Sequence, residues 1–402
     1  MDTSFESFIN TLTSVNASYA APPTFSNLIN SNTLNLYNAA TATAAPGNLM
    51  ISPFSILYAT MLMYIGSSGN TKSNLDSALQ FTQIYNGDKS AALTDFSHAL
   101  STVKSVSDPQ DASKYMIVSV NNGVFVDRTM KLKPDYVENA KSKLKSLAEQ
   151  KDFRGNSSQA RTEINNWVSN NTGGLIKNLL SPDSVNAMTR VVLVNTVYYN
   201  ATWASEFDKE DTEKRPFTNV DGTEVQVDMM IKTDGFLFSR ERDLKFTYAE
   251  LDYYNGETSM LIVLPDSSQS LRDVEKKLTA DGLMKLKSEG RKRRMRLVLP
   301  KFKTESKFDL VQLLRQTGVD DAFNGGKANF ADMTSERGLY FGSGVHKTFI
   351  SVDEQGTVAA AASVLSAGRS WPMEFAANRP FLYAIRHNPT NCLLFIGKVE
   401  KF

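Results

Sequence analysis

Several long runs of β-forming residues in this chain are apolar on both of their faces. Two of them are the stretch at 115–126, YMIVSVNNGVFV, and the stretch at 190–203, RVVLVNTVYYNATW. Side chains alternate between the two faces of a strand, so a strand that is apolar on both faces must be covered on both sides. The sequence therefore predicts long strands in the middle of covered sheets.

The other periodic segments divide into helices, mainly in the first half, and strands, mainly in the second. Helices are expected at 52–66, 72–81, 91–105 and 135–146, and further strands at 247–254, 259–266, 295–303 and 347–352. Ser52 before Pro53 is a typical N-cap, and residues 380–399 have the pattern of a β-hairpin that turns at 387–391. Together these patterns predict an α+β fold.

The chain reads as one domain. No Gly/Ser or Pro linker and no repeat interrupts it, which predicts a single domain at 26–402 after an N-terminal extension at 1–25. Its 402 residues are 41% apolar, enough for a large core, and Cys392 is the only cysteine, so packing must supply the stability without an internal disulfide. The formal net charge of +1 gives no general reason to expect nucleic-acid binding.

The N-terminal segment does not look like a targeting signal. It carries Asp2 and Glu6 and has no basic flank followed by an apolar run, so we expect no conventional signal peptide. No stretch approaches the roughly 18 apolar residues of a membrane span. Four N-x-[ST] sequons, at Asn16, Asn156, Asn170 and Asn200, matter only in a glycosylating compartment. The sequence is compatible with a cytoplasmic protein and with one that is exported by an unconventional route.

The signatures of common hydrolases and nucleotide-binding proteins are missing from the sequence. It has no G-x-S-x-G, H-E-x-x-H, G-x-x-x-x-G-K-[ST] or G-x-G-x-x-G motif, and its only histidines are His98, His346 and His387. We expect His98 to serve packing or the surface and His387 to be solvated in the hairpin turn. The sequence predicts no enzymatic activity, no metal site and no cofactor.

Several segments, in their order and spacing, resemble conserved blocks of the serpin family. They are NLMISPFSI at 48–56, INNWVSNNTGGLI at 164–176, LVNTVYYNATWASEFDKEDT at 193–212, LPKFK at 299–303, VHKTFISVDEQGTVAAAA at 345–362, ANRPFLYAIR at 377–386 and LLFIGKV at 393–399. The resemblance implies three β-sheets, about nine helices and an exposed reactive-centre loop near the C-terminus. It also implies an inhibitor whose cleaved loop inserts into the central sheet while the protease is still attached as an acyl-enzyme.

The resemblance assigns the hinge of that loop to a segment of small residues. These are Glu354, Gly356, Thr357, Val358, Ala359, Ala360, Ala361 and Ala362. Four consecutive alanines alone favour a helix, but the flanking SVLSAGRSWP at 363–372 has no amphipathic stripe, so a loop fits better. In an inserted strand the alternate positions Thr357, Ala359, Ala361, Ser363 and Leu365 would face the core, and none is charged. Val358, where the family often has an acidic residue, would face outward.

The reactive bond is predicted at Arg369-Ser370. It is the only bond of the loop with a basic residue on its N-terminal side, and the specificity pocket of trypsin-like proteases carries a carboxylate for such a side chain. The usual family spacing from the hinge glycine would instead place the cut after Ser370. That alternative would suggest an elastase-like target.

Four polar residues match the shutter of the family, the cluster beneath the sheet where strands part. They are Ser52, Ser55, Asn195 and His346. Each also has a plain structural interpretation as a helix cap, a helix serine or a satisfied buried polar group, and both interpretations can hold. Trp203 matches a tryptophan near the top of the same sheet and is expected in the core.

The densest charge cluster comprises Lys285, Lys287, Arg291, Lys292, Arg293, Arg294 and Arg296. Residues 291–294 with Arg296 form a candidate site for a heparin-like polyanion, while the plain alternative, which we favour, is a solvated turn between a helix and a strand.

The leading functional prediction is a monomeric inhibitor that forms a covalent 1:1 complex with a trypsin-like serine protease. The alternative is a non-inhibitory serpin with a carrier, chaperone or storage role, whose hinge would typically carry bulky or charged residues.

Overall fold

The computed structural model describes residues 23–103, 105–356 and 373–402. In these ranges the chain forms ten α-helices, three single-turn 3₁₀ helices and fifteen strands. The α-helices are α1 (Pro23–Thr43), α2 (Pro53–Gly66), α3 (Gly69–Ala78), α4 (Phe81–Tyr85), α5 (Lys89–Thr102), α6 (Pro134–Ser142), α7 (Phe153–Asn171), α8 (Leu271–Glu275), α9 (Ala280–Glu289) and α10 (Leu310–Gln316).

Ten of the fifteen strands in the described ranges lie in the second half of the chain, after residue 201. The fifteen strands are β1 (Leu49–Ile51), β2 (Val106–Ser107), β3 (Tyr115–Asp127), β4 (Leu147–Lys151), β5 (Val191–Ala201), β6 (Glu213–Thr218), β7 (Glu224–Glu241), β8 (Phe246–Asp252), β9 (Thr258–Pro265), β10 (Arg291–Pro300), β11 (Phe302–Asp309), β12 (Ser343–Val352), β13 (Met373–Ala376), β14 (Phe381–His387) and β15 (Cys392–Val399). The α+β class predicted from the sequence is confirmed.

The described strands form two hydrogen-bonded sheets. The larger has nine strands in the order β1-β15-β14-β9-β8-β7-β10-β13, with β6 also paired to β7. The smaller has six strands in the order β11-β12-β5-β3-β2, with β4 also paired to β3. All eleven residues of β5 are buried, as predicted for a strand with two apolar faces.

The family resemblance led us to expect three sheets, and the reason for counting two lies in β7. This 18-residue strand changes partners along its length: residues 229–238 pair with β10, whereas residues 237–241 pair with β8. The long strand thereby joins two parts of the structure into one hydrogen-bonded network. The helix count is ten in the described ranges, close to the expected nine.

Helix α2 is sandwiched between the two sheets. Ser52 caps it by accepting a hydrogen bond from the backbone N–H of Ser55, and Pro53 occupies the first turn, as the sequence predicted. All of its residues are buried, because it packs against β15 of the larger sheet and against β3 and β5 of the smaller one. The N-terminus of α2 therefore lies directly beneath the centre of the six-stranded sheet.

The first helix extends the domain slightly beyond the boundary drawn from the sequence. It begins at Pro23, and Phe25 is fully buried against the rings of Phe54, Tyr58 and Phe96. The last residues assigned to the 1–25 extension thus belong to α1. The rest of that extension lies outside the described residues.

Among the described residues, none of the helices is long and apolar enough to reach across a lipid bilayer. Of the sequons, Asn156 and Asn170 are exposed, whereas Asn200 is buried in β5, where a glycan has no room. Asn16 lies outside the described ranges.

Candidate functional site at the centre of the six-stranded sheet

The two central strands of the smaller sheet are paired along only part of their length. Strands β5 and β12 run parallel and are in register from Val192 opposite Ser343 to Tyr198 opposite Phe349. Both strands then continue for three more residues, to Ala201 and Val352, without pairing with each other. The sheet is therefore open between β5 and β12 at the end where β12 leads toward residue 357.

A row of polar side chains crosses the sheet below this opening. His346 on β12 lies opposite Asn195 on β5, which in turn lies opposite Asn122 on β3. All three are buried. Polar residues in the middle of apolar strands need partners, and the row supplies them across the strands.

The row is tied to the N-terminus of α2 by hydrogen bonds. The Ser52 backbone N–H donates to His346 Nε2 at 3.2 Å, and His346 Nδ1 lies within hydrogen-bond distance of Asn195 Oδ1. The Asn195 amide donates to Ser55 Oγ at 2.6 Å and to the Ser55 carbonyl at 3.0 Å, and it also contacts Asn122 Oδ1. The four residues predicted from the sequence thus form one cluster, and Asn122 is a fifth member that the sequence analysis missed.

The hydrogen bonds fix the protonation state of His346. Asn195 Oδ1 is an acceptor and the Ser52 N–H is a donor, so Nδ1 carries the proton and Nε2 accepts. Burial lowers the pKa of His346 to about 3, so the ring is neutral at physiological pH. A neutral imidazole is the only form that satisfies both partners.

The chain makes a tight turn directly after β12. Asp353 and Gly356 form an isolated antiparallel bridge, and the Gly356 N–H donates to the Asp353 carbonyl at 3.1 Å. Gly356 adopts φ +102°, a left-handed conformation that favours glycine. A Cβ at this position would come within 2.4 Å of the Ala201 carbonyl and 2.5 Å of the Trp203 backbone nitrogen. This predicted hinge residue is therefore pressed against the end of β5.

Glu354, the first predicted hinge residue, is clamped in place by its side chain. Its carboxylate is buried and accepts hydrogen bonds from Lys301 Nζ and Thr212 Oγ1, both at 2.9 Å. Burial alone would raise the pKa of Glu354, but these bonds outweigh it and hold the pKa below its usual value. The Glu354 carbonyl also accepts from the Phe207 N–H at 2.7 Å. We call Glu354, Lys301 and Thr212 the turn clamp.

Trp203 covers the same turn from the end of β5. Its indole Nε1 donates to the Asp353 carbonyl at 3.0 Å, and its backbone N–H donates to the Gln355 carbonyl at 2.8 Å. The ring stacks on Tyr253 with a centroid distance of 4.2 Å. Trp203 is buried, as expected, and it holds the turn as well as filling the core.

The remaining hinge residues and the predicted reactive bond lie outside the described residues. These are Thr357, Val358, Ala359, Ala360, Ala361, Ala362, Arg369 and Ser370.

The basic cluster does not form the turn that we favoured, because Lys285 and Lys287 lie on α9 and its other five residues lie on β10. Helix α9 ends at Glu289 and β10 begins at Arg291, so only Gly290 separates them. Residues 291–294 are exposed on β10, while Arg296 is partly buried 3.8 Å from the Glu374 carboxylate. Lys287 is drawn away from the cluster, because its ammonium contacts Asn388 Oδ1 and lies 3.8 Å from the buried Glu250. Burial lowers the pKa of Lys287.

The expectation for His387 is wrong. Its ring is buried at the end of β14, where Nδ1 lies 2.8 Å from Thr390 Oγ1 and Nε2 lies 3.7 Å from Glu257. The hairpin turn folds back onto the neighbouring chain, with the Asn388 N–H donating to the Glu257 carbonyl, so the turn covers the imidazole. His98, in contrast, is exposed on α5.

Comparison with known proteins agrees with this architecture. The family model described as Serpin (serine protease inhibitor) matches residues 27–402. Serpin B10 of Rattus norvegicus is 33% identical over 367 residues, which covers 87% of this chain and 92% of the relative. Leukocyte elastase inhibitor A of the same organism is 32% identical over 378 residues, covering 91% of this chain and 96% of the relative.

A solved structure gives the same result for the fold. Native protease nexin-1 with heparin superposes with a TM-score of 0.81 at 30% identity, over 95% of this chain and all of that chain. Members of the matching family are described as inhibitors of serine proteases and not as catalysts. From the family match over residues 27–402, the relatives above 30% identity and the shared fold, we conclude that the chain belongs to the serpin family.

Proposed function

We propose that the protein is a suicide-substrate inhibitor of trypsin-like serine proteases. The observation that carries the proposal is the opening between β5 and β12, which pair up to Tyr198 and Phe349 but not over their last three residues. Through the turn at 353–356, β12 leads into the segment that would fill this opening. The protein would bind one protease molecule and be consumed, with no catalytic turnover of its own.

The chemical step belongs to the protease. Its catalytic serine attacks the carbonyl carbon of Arg369, the bond to the Ser370 nitrogen breaks, and that nitrogen leaves with a proton as a free amine. The Arg369 carbonyl is then an ester of the protease serine. Once the bond is cut, the segment from Thr357 to Arg369 is no longer held at both ends.

Insertion would replace the parallel pairing between β5 and β12 with two antiparallel pairings, which are more stable. At present β5 and β12 share one parallel ladder of seven register pairs. A strand that folds back from β12 through the turn at 353–356 would run antiparallel to both neighbours, and antiparallel pairing is the more stable type. The segment from Thr357 to Arg369 would be roughly 40 Å long when extended. The attached protease would be carried over that distance, and its distortion would stall hydrolysis of the ester.

Two features would hold the sheet closed until the cut. The polar row of His346, Asn195 and Asn122 spans the central strands, and the turn clamp at Glu354 restrains the exit from β12. Both must be rearranged before β5 and β12 can separate. The uncleaved fold would therefore be held kinetically and would not be the most stable arrangement of the chain.

An elastase-like protease is the second candidate target. The rat relative named leukocyte elastase inhibitor A favours it. The cut would then follow Ser370, whose small side chain suits a small specificity pocket. Arg369 keeps trypsin-like proteases in first place, because its guanidinium complements a carboxylate in the pocket.

The test is incubation with trypsin and, separately, with leukocyte elastase, followed by denaturing electrophoresis. We expect a stable band at the combined mass with trypsin and a released C-terminal fragment that begins at Ser370. A fragment that begins at Trp371, with the complex formed by elastase, would move the assignment to the second target. Cleavage by both proteases without any complex would overturn the inhibitory proposal.

A further inference from the structure

The start of β10 is a strongly basic surface of the described chain. Arg291, Lys292, Arg293 and Arg294 are consecutive and all exposed, so four positive charges lie within about 10 Å along the strand. In the described part of the chain no carboxylate forms an ion pair with any of the four, whereas Arg296 pairs with Glu374. We call residues 291–294 the basic strand end.

The charges of the basic strand end lie on both faces of the strand, and none has an ion-pair partner among the described carboxylates. Side chains alternate, so Arg291 and Arg293 share one face and Lys292 and Arg294 the other. The stem of Lys292 lies over Gly235 of β7, where a Cβ would be 3.0 Å from its Cε, and its ammonium remains exposed. Like charges two residues apart on one face repel, so folding alone does not favour this arrangement.

The position of the basic strand end relates it to the reactive bond. Strand β10 pairs with β7 from Arg291 onward, but on its other edge it pairs with β13 only from Met295, opposite Met373. Among the described strands, none covers that edge at 291–294. Because the ladder with β13 is parallel, the chain enters β13 at the end of the sheet where the basic residues lie.

Chain length limits how far the reactive bond can be from this surface. Arg369 is four residues before Met373, so its Cα lies within about 14 Å of that of Met373. Met373 is the strand neighbour of Met295, directly after the four basic residues. A protease bound at Arg369-Ser370 must therefore lie close to the basic strand end. The part of the protease nearest to it is the rim of the active-site cleft on the side that binds the residues after the cut.

We propose that the basic strand end is a docking surface for the target protease, and that it selects proteases with an acidic rim on that side of the cleft. This inference rests on the proposed function and names the surface of its partner. Exposed charges that meet opposite charges at the edge of an interface act mainly on the association rate, and their effect is screened by salt. The patch would speed encounter and orient the protease before it attacks the loop.

A polyanion is a weaker match for the same residues. A linear polyanion needs a track of charges, but Lys287 beside the patch is drawn to Glu250 and Asn388, and Glu289, two residues before Arg291, adds a negative charge. The basic strand end is therefore short and bounded, as suits the rim of a protein surface.

The experiment compares the native chain with two variants of equal net charge. The patch variant carries Arg291→Gln, Lys292→Gln, Arg293→Gln and Arg294→Gln. The control variant carries Lys141→Gln, Lys143→Gln, Lys276→Gln and Lys277→Gln, four exposed lysines at or just after the ends of α6 and α8. The probes are trypsin and a trypsin variant with added glutamates on the rim that faces residues after the cut.

We expect the patch variant to inhibit the glutamate-rimmed trypsin about tenfold more slowly than the native chain at low salt, and the difference to vanish near 1 M salt. The control variant should keep the native rate. Unchanged association of the patch variant with both trypsins would overturn the proposal. If the only losses were retention on heparin or resistance to aggregation, the patch would instead be a polyanion site or a protected strand edge.

A second measurement separates this proposal from the inhibitory mechanism. Binding of the same trypsins with their catalytic serine replaced by alanine requires no acyl-enzyme. Charge-dependent binding without any covalent complex would keep the docking surface and remove the trapping mechanism. A normal covalent complex whose association rate does not depend on these charges would keep the trapping mechanism and remove the docking surface.

Discussion

His346 occupies the point where the two central strands and α2 meet. Its neutral ring donates to Asn195 and accepts from the Ser52 backbone N–H, so each nitrogen satisfies a buried partner. The side-chain amide of Asn195 in turn donates hydrogen bonds to Ser55 and Asn122. One side chain thus links β12, β5 and the N-terminus of α2, and the sheet cannot open there without breaking these bonds.

Replacing this residue tests that role. His346→Ala leaves the Asn195 carbonyl oxygen and the Ser52 N–H unpaired in the core and opens a cavity, at a cost on the order of 3 kcal/mol. We expect much of the variant to become polymer or an inactive loop-inserted monomer, which native gels and inhibition assays would detect. Lys285→Ala, which truncates an exposed side chain on α9, should behave as the native chain does. Unchanged unfolding and monomer content in His346→Ala would contradict the assignment.

The pKa of His346 gives a pH dependence with a definite sign. It falls from 6.5 to about 3 on folding, so between these values the unfolded chain binds a proton that the folded chain rejects. This component of stability is complete above pH 6.5 and decreases as the pH falls. From pH 7 to pH 5 the native chain should lose about 2 kcal/mol more than His346→Gln, measured by chemical unfolding. Parallel pH profiles for the two proteins would contradict this.

At the residue scale, sequence alone identified the candidates but not all of their partners. Ser52, Ser55, Asn195 and His346 were found through their motifs. Asn122 was missed because the adjacent Asn121 has the same side chain, and only the register of β3 against β5 decides which of them meets Asn195. The burial of His387 likewise depends on the distant Glu257, whose position no local pattern reveals.

At the scale of elements, the exit from β12 is restrained by contacts between segments far apart in sequence. Glu354 reaches Lys301, just after β10, and Thr212, just before β6. Trp203 at the end of β5 holds the same turn through two backbone carbonyls. The turn that follows β12, where the hinge is predicted, is therefore fastened to the larger sheet as well as to its own.

Glu354→Gln should loosen this fastening. The glutamate side chain is 5% exposed and the Lys301 side chain 38%, so the variant leaves a partly hydrated charge facing a neutral amide. On mild heating, we expect this variant to form polymers several-fold faster than the native chain. Native gel electrophoresis would measure the rate of polymer formation. The matched control is Glu305→Gln, which breaks an ion pair with Lys347 in the same sheet, but one whose carboxylate is 57% exposed. Equal polymerisation rates for the two variants would argue against the turn clamp.

The proposed insertion of the cleaved segment as a strand gives a second prediction at this scale. Under strand alternation Ala361 would face the core and Ala360 would face outward. Ala361→Glu should therefore block insertion, because a buried unpaired carboxylate is strongly unfavourable, and should turn the protein into a substrate that is cleaved without a stable complex. Ala360→Glu should still form the complex. Identical partitioning between complex and cleaved product in the two variants would contradict the predicted alternation.

Local patterns predicted many of the elements themselves. Strands β3 and β5 and helix α2 lie where their apolar spacing and caps placed them. Helix α6 ends at Ser142, earlier than expected, since Lys145 adopts a left-handed conformation that a helix cannot continue. Strand β7 was not predicted, because its sequence lacks a regular alternation of apolar and polar residues. The strand pairs with β10 along one part and with β8 along another, so its buried positions do not follow one pattern.

At the scale of the whole molecule, the proposed function requires a fold with two competing arrangements. In the uncleaved chain β5 and β12 share a short parallel ladder that stops at Tyr198 and Phe349. After cleavage, the segment that begins at Thr357 could pair with both. The polar row and the turn clamp would then separate the two arrangements by a kinetic barrier, and the energy of the better sheet would be available to trap a protease.

The most direct test is to cut the loop with a protease that is not trapped and to compare the thermal unfolding of the cut and intact proteins. Roughly ten new backbone hydrogen bonds at about 1 kcal/mol each, and about 2 °C per kcal/mol in a chain of this size, predict a rise in Tm on the order of 20 °C. The result that would contradict the account is a cut protein that unfolds at the same temperature as the intact one.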